Sequence, residues 1–177
     1  MEAKANVFDV EYYGTKDGPG IRTVLFLKGC NLTCRWCHNP ESQSATEQIL
    51  YHSNLCVNCG RCLSHCPTGA IHYEPEYGYV TDQRLCDRCG ACVEICSYQA
   101  RELVGRVTGL QEIQEMLLRD EAFYKESGGG ITISGGEPLM QRGVVKQLLV
   151  WLKGKEIHTA PETAGAYPSF WLEEIIE

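Results

Sequence analysis

The chain has 177 residues, 44% of them apolar and 22% charged, with a formal net charge of −7. This is enough apolar content to bury a core, so disorder is not the expectation, and the acidic balance argues against a nucleic-acid partner, whose footprint is normally basic. No apolar run approaches the roughly 20 residues that span a bilayer, and the polar start Met1-Glu-Ala-Lys-Ala-Asn6 lacks the apolar stretch of a secretory signal. A cytoplasmic protein with no membrane partner is therefore expected.

The turn signal Asp17-Gly-Pro-Gly20 comes first, then the apolar run Thr23–Lys28, which reads as a buried strand ending at Gly29. Cysteines begin at Cys30. All eleven fall between Cys30 and Cys96, and the odd number leaves a thiol over in any fully paired disulfide framework. Residues 54–104 carry eight of them in a loop-rich stretch. Beyond it, Thr108-Gly-Leu-Gln111 has the spacing of a capping box, and Leu110, Ile113 and Leu117 continue at helical intervals until Ser127-Gly-Gly-Gly130. Ile131–Ser134 reads as a second strand, with Gly135-Gly-Glu-Pro138 as the loop after it. Val144, Val145, Leu148, Leu149 and Leu152 mark a helix closed by Gly154, Ile157–Thr163 a third strand, and Trp171, Leu172, Ile175 and Ile176 a last helix. Strand and helix alternating in this way predict βα units around a parallel sheet. The expected organisation is one α/β domain of residues 1–53 and 105–177, interrupted by an insert over 54–104. Parallel strands need neighbours, and a full (β/α)8 barrel takes about 250 residues. The sheet within this chain is thus expected to be incomplete.

The insert contains an internal repeat. Cys56-x2-Cys59-x2-Cys62-x3-Cys66 recurs thirty residues later as Cys86-x2-Cys89-x2-Cys92-x3-Cys96. Three cysteines at three-residue spacing can wrap one iron–sulfur cube, and in two-cluster ferredoxins the fourth ligates the other cluster. Under that rule Cys56, Cys59, Cys62 and Cys96 hold one [4Fe–4S] cluster, and Cys86, Cys89, Cys92 and Cys66 hold the other. Structural zinc, which also takes four thiolates, is the alternative, although its paired motifs are usually farther apart. His52, His65 and His72 read as bystanders. Cys30-x3-Cys34-x2-Cys37 supplies only three thiolates; they are three free or metal-binding thiols, or they hold a [4Fe–4S] cluster that leaves one iron open.

The run Cys30-x3-Cys34-x2-Cys37, with Trp36 before its last cysteine, resembles the signature of radical S-adenosylmethionine enzymes, and Gly135-Gly-Glu-Pro138 resembles that superfamily's loop for the methionine moiety. Asp17-Gly-Pro-Gly-Ile-Arg22, Phe26, Gly29-Cys30, Trp36-Cys-His-Asn-Pro-Glu41 and Ser127–Pro138 are similar to segments of glycyl-radical-enzyme activating enzymes, in the subgroup with a two-cluster ferredoxin-like insert. The resemblance runs from about Val7 to Ala166. It implies a partial (β/α) barrel of the radical S-adenosylmethionine type carrying the inserted iron–sulfur domain, three [4Fe–4S] clusters and S-adenosyl-L-methionine. It also implies that Cys30, Cys34 and Cys37 hold the open cluster, that Trp36 lies near the adenine with the backbone around Cys37 and His38 on its edge, and that Gly135, Gly136 and Glu137 fix the methionine amino group. Asp17 would meet the incoming glycine loop or an ion. Reductive cleavage of the sulfonium would give a 5′-deoxyadenosyl radical that abstracts a Cα hydrogen from a glycine of a partner enzyme. The partners implied are a glycyl radical enzyme and an electron donor such as flavodoxin or ferredoxin. A different radical reaction, or an iron–sulfur electron-transfer fragment without turnover, are the alternatives. His158 and Glu162 on the third predicted strand are further candidates for the site, with structural roles at least as good a reading.

Overall fold

The computed structural model describes residues 3–176; Met1, Glu2 and Glu177 lie outside the described residues. The chain divides into two compact units, one of Glu47–Val104 and one made of the chain on either side of it.

The flanking unit is built on a five-stranded sheet. Its strands are β1 (Lys4–Gly14), β2 (Arg22–Leu27), β7 (Arg106–Gly109), β8 (Gly130–Gly135) and β9 (His158–Pro161), in the order β7-β1-β2-β8-β9. β2, β8 and β9 run parallel, while β1 is antiparallel to both of its neighbours. β2 and β8 are covered on both faces. That is why they read as continuous apolar runs rather than alternating ones. Four helices accompany the sheet: α3 (Leu110–Leu118), α4 (Glu121–Ser127), α5 (Arg142–Gly154) and α6 (Ser169–Ile176). α5 buries Val144, Val145, Leu148, Leu149 and Leu152 on one stripe. Those side chains meet Leu25, Leu27, Ile131 and Ile133 of the central strands, together with Ile113 and Leu117 of α3, in one core.

Two elements differ from the sequence reading. β1, eleven residues long, was not anticipated, and its half-exposed, alternating burial is the pattern of a strand with one face outside the core. Thr108 does not cap α3. It lies in β7 with its hydroxyl on the Arg106 carbonyl, and the helix starts from Gly109 without a side-chain cap.

The Glu47–Val104 unit repeats itself. Its first half is β3 (Gln48–Tyr51), a cysteine run, α1 (Arg61–Ser64) and β4 (Ile71–Glu74). Its second is β5 (Gly78–Thr81), a cysteine run, α2 (Ala91–Glu94) and β6 (Arg101–Val104), every element displaced by thirty residues. The halves exchange strands: β3 pairs with β6 and β4 with β5, both antiparallel. Equivalent bonds extend each ladder, from His52 N–H to the Ala100 carbonyl (2.9 Å) and from Asp82 N–H to the Ala70 carbonyl (2.8 Å). The left-handed backbone positions match as well, with Asn58 and Arg88, Gly60 and Gly90, and Gly69 and Gln99 all at positive φ. Gly60 and Gly90 stand immediately before the two short helices, where a residue without Cβ turns the chain at no steric cost. β3 belongs to this unit because its ladder partner β6 does, which puts residues 47–53 with the cysteine repeats.

Candidate active site and cluster sites

β2 and β8 are paired in parallel with Leu27 opposite Gly135, so the segments leaving both strands emerge side by side at their carboxyl ends. In α/β sheets that is where ligand sites usually lie. The two segments are stitched together through the backbone. Gly136 N–H donates to the Leu27 carbonyl (2.8 Å), Glu137 N–H to the Gly29 carbonyl (2.7 Å), Gly29 N–H to the Ser42 carbonyl (2.7 Å) and Cys30 N–H to the Gln43 carbonyl (2.9 Å). The approach is too close for side chains. A Cβ on Gly136 would sit 2.4 Å from the Gly29 oxygen, and one on Gly135, at φ +109°, 2.3 Å from the Leu27 oxygen.

A cavity opens beside this junction, lined by Asp17, Cys37, His38, Ser134, Gly135 and Glu162, with aromatic walls from Phe8, Tyr13 and Phe26. Asp17, Cys37, His38 and Gly135 of the predicted site thus share one cavity. Cys30, Cys34, Trp36, Gly136 and Glu137 do not line it, and Trp36 is 85% exposed. Glu137 is fully buried, its carboxylate accepting from Leu139 N–H (3.1 Å), the Thr163 hydroxyl (2.9 Å) and Ala164 N–H (2.9 Å). The carboxylate ties the glycine loop to the segment after β9, which leaves main-chain atoms of this loop for a ligand. Glu162 does reach the cavity, held by the Ser134 hydroxyl at 2.5 Å, whereas His158 turns to the guanidinium of Arg22.

Arg22 and Lys28 are fully buried cations at the two ends of the β2 run. Arg22 donates to Thr132 Oγ1 (2.6 Å) and to the Ile131 (2.6 Å) and Pro19 (3.2 Å) carbonyls, while the Thr132 hydroxyl donates on to the Asp17 carbonyl (2.7 Å). The guanidinium therefore fastens the Asp17–Gly20 turn to the sheet. Lys28 donates to the Glu41 carbonyl (2.5 Å), and Gln141 bridges the carbonyls of Asn6 (2.9 Å) and Lys28 (2.8 Å). Burial pushes both cations below their ordinary range, with Asp17 and Glu41 opposing the shift. Charged residues at the edges of an apolar run look like solvated strand ends in a sequence. Nothing local signals that both face inward.

All eleven thiols are free. In the Glu47–Val104 unit one pocket is lined by Cys56, Cys59, Cys62 and Cys96, together with Val57, Arg61, Tyr79 and Tyr98. Cys92 is buried in the unit's small core, and Cys66 and Cys86, as well as Cys62, pack against the same cluster. Main-chain N–H groups point at the sulfurs: Leu32 at Cys30 (3.4 Å), Asn58 at Cys56 (3.4 Å) and Ala100 at Cys96 (3.3 Å). Hydrogen bonds of this kind are how proteins tune iron–sulfur clusters. Among the described residues no three His, Cys, Asp or Glu side chains converge on a single ion. Four thiols set around a shared pocket suit a cube, each of whose irons takes its own thiolate. Hydrogen bonds from the backbone and side chain of Arg61 hold the Cys59 thiol below its usual range, and burial pushes Cys92 above it. The histidines are otherwise engaged: His52 pairs with Glu102 and His72 with Glu74, both at 2.9 Å, and His65 Nδ1 lies 2.9 Å from the Arg61 carbonyl.

Two family models match. A 4Fe-4S dicluster domain covers residues 48–99, and a 4Fe-4S single cluster domain covers residues 16–70. Both models describe iron–sulfur domains. Among curated proteins it is 40% identical to the isethionate sulfite-lyase activating enzyme of Desulfovibrio desulfuricans, over 95% of this chain and 55% of that protein. The benzylsuccinate synthase activating enzyme of Thauera aromatica is 41% identical over 89% of this chain and 49% of its own length. For the trans-4-hydroxy-L-proline dehydratase activating enzyme of Clostridioides difficile the figures are 41%, 90% and 53%. The chain is a homologue of glycyl-radical-enzyme activating enzymes. It spans about half the length of the curated relatives it matches. Among the described residues no helix is long and apolar enough to cross a membrane.

Proposed function

We propose that this chain is the part of a glycyl-radical-enzyme activating enzyme that holds three [4Fe–4S] clusters and much of the S-adenosyl-L-methionine site. Its sheet unit is read as a partial (β/α) barrel of the radical S-adenosylmethionine type, and Glu47–Val104 as a ferredoxin-like insert. The observation that carries this reading is the junction at the carboxyl ends of β2 and β8, where the Gly135–Pro138 loop is bonded backbone to backbone to Leu27 and Gly29, the residues that lead into the Cys30–Cys37 run, beside a cavity holding Asp17, His38 and Glu162.

In this reading Cys30, Cys34 and Cys37 bind a cluster with one open iron. A cluster held there, with S-adenosylmethionine, would supply one-electron reductive cleavage of the sulfonium and, through it, removal of a Cα hydrogen from a glycine of a partner enzyme. The protein positions and shields. Main-chain carbonyls of Gly135 and Gly136 receive the methionine ammonium group, while the Glu137 carboxylate keeps that loop rigid from behind. Trp36 and the backbone of Cys37 and His38 flank the adenine. Asp17, fastened through Thr132 and Arg22, borders the approach of the glycine loop. Glu162 and Ser134 complete the polar wall, and Phe8, Tyr13 and Phe26 line the remainder of the cavity. In the insert, Cys56, Cys59, Cys62 and Cys96 form one ligand set and Cys86, Cys89, Cys92 and Cys66 the other. An electron donor of the flavodoxin or ferredoxin class feeds them in an anaerobic cytoplasm.

The test is anaerobic reconstitution of the chain, iron analysis and assay for 5′-deoxyadenosine after reduction. About twelve irons per chain together with deoxyadenosine is the expected result, followed by a glycyl radical signal on a co-incubated partner. Iron without deoxyadenosine would overturn the catalytic reading and leave an electron-transfer module.

A further inference from the structure

The two cysteine sites of the insert are related residue for residue by the thirty-residue repeat. A difference in charge between them is therefore a difference on a common backbone. Arg61, in the first turn of α1, lines the pocket of Cys56, Cys59, Cys62 and Cys96 and donates to Ser97 Oγ at 3.3 Å. Its counterpart in the second half is Ala91, and the counterpart of Ser97 is Pro67. Asp87 follows the first cysteine of the second run and accepts a hydrogen bond from Cys89 N–H at 3.1 Å. Its counterpart in the first half is Val57, which lines the first pocket. No carboxylate lines that pocket. Arg101 lines it too, and Arg88, whose counterpart is Asn58, stands next to Asp87 in the second run; of these cations Arg61 is the one that lines the first pocket and belongs to the first cysteine run.

We infer that the insert's two clusters differ in reduction potential, that the Cys56, Cys59, Cys62 and Cys96 site is the higher, and that Arg61 and Asp87 set the order. This rests on the reading that the insert holds two [4Fe–4S] clusters. Reduction adds one electron and breaks no bond. A cation lining the site stabilises the more negative, reduced state, and a neighbouring carboxylate destabilises it. The first electron from a one-electron donor, whether dithionite or a protein carrier, accordingly settles on the Arg61 side.

The test uses the full chain with Cys30, Cys34 and Cys37 replaced by serine, so that only the insert contributes signal. Iron analysis comes first: about eight irons are expected, and markedly fewer would sink the two-cluster reading and this inference with it. With full iron, a potentiometric titration followed by electron paramagnetic resonance should give two midpoints, and Cys59→Ser should perturb the species at the higher one. Arg61→Ala should lower that midpoint alone, Arg61→Lys should restore part of the shift, and Asp87→Val should raise the lower midpoint alone. Arg61 and Asp87 are both exposed, so these variants should fold. Coincident midpoints at full iron, or an Arg61→Ala shift confined to the lower-potential species, would overturn the order. No shift in either variant would remove the two residues as its cause.

Discussion

The sheet unit gathers seventeen buried residues into one apolar cluster, from Leu25 and Leu27 on β2 to Leu148 and Leu152 on α5, whereas the insert's cluster contains Ile49, Ile71 and Cys92. Around those three pack Cys62, Cys66 and Cys86, side chains read as metal ligands. A chain segment of this length cannot normally fold on so little apolar burial and needs disulfides, metal or another staple. With all its thiols free, the insert has metal as its available staple. On the proposed reading, cohesion in one unit comes from side chains buried along helices and strands, and in the other from the metal its cysteines would hold.

Removing iron is the strongest way to test that contrast. Chelation under reducing conditions should abolish amide hydrogen-exchange protection across β3–β6 while β2 and β8 keep theirs, because metal binding and folding are one free energy in such modules. Retained protection in the iron-free insert would show that its small core suffices. The converse perturbation is Leu152→Ala, which should cost the sheet unit about 2–5 kcal/mol in chemical denaturation and leave the visible absorbance of the insert's clusters unchanged in native buffer.

The same contrast explains what the sequence disclosed. The insert was legible because cysteine spacing is itself the ligand geometry, and its thirty-residue repeat extends to strands, short helices and left-handed positions. β2, β8 and α5 were legible because burial on both faces, or on one helical stripe, writes itself as apolar periodicity. β1 was not, since only some of its residues are buried and the polar ones interrupt the pattern. Glu137 was read as a ligand contact, but its carboxylate points to Thr163 and Ala164, partners 26 and 27 positions away that no local pattern predicts. Arg22 and Lys28 escaped notice as inward-facing residues for the same reason: their acceptors are on other strands and loops.

Glu137→Gln sharpens the comparison at the site itself. It keeps the shape but places an amide group where the carboxylate meets N–H and O–H donors, and leaving one such buried donor without an acceptor costs about 1–3 kcal/mol. The sheet unit should lose that stability, and binding of S-adenosylmethionine to the reconstituted protein should weaken, while the iron of the insert stays constant. Equal loss of iron from the insert would contradict the independence of the two means of cohesion.

The smallest expected effect concerns pH and lies wholly in the sheet unit. Burial pushes the Tyr124 hydroxyl up to about 12 from the ordinary 10.0, with nearby Asp120 adding to the shift and the bond to Thr23 opposing it. The hydroxyl lies 2.6 Å from Thr23 Oγ1 and 2.9 Å from the Leu117 carbonyl, and the side chain is almost fully buried. The folded state therefore holds this proton more tightly than the unfolded state. Its contribution is complete below about pH 10 and is lost as pH climbs toward about 12, since ionisation is easier in the unfolded chain. Tyr124→Phe should cost about 1 kcal/mol at neutral pH through the lost hydrogen bond and flatten the decline of sheet-unit stability above pH 10. Denaturation series at neutral and alkaline pH, followed through the tryptophans on α5 and α6, would read both effects. An alkaline decline that is unchanged in the Phe variant would mean that another group carries it.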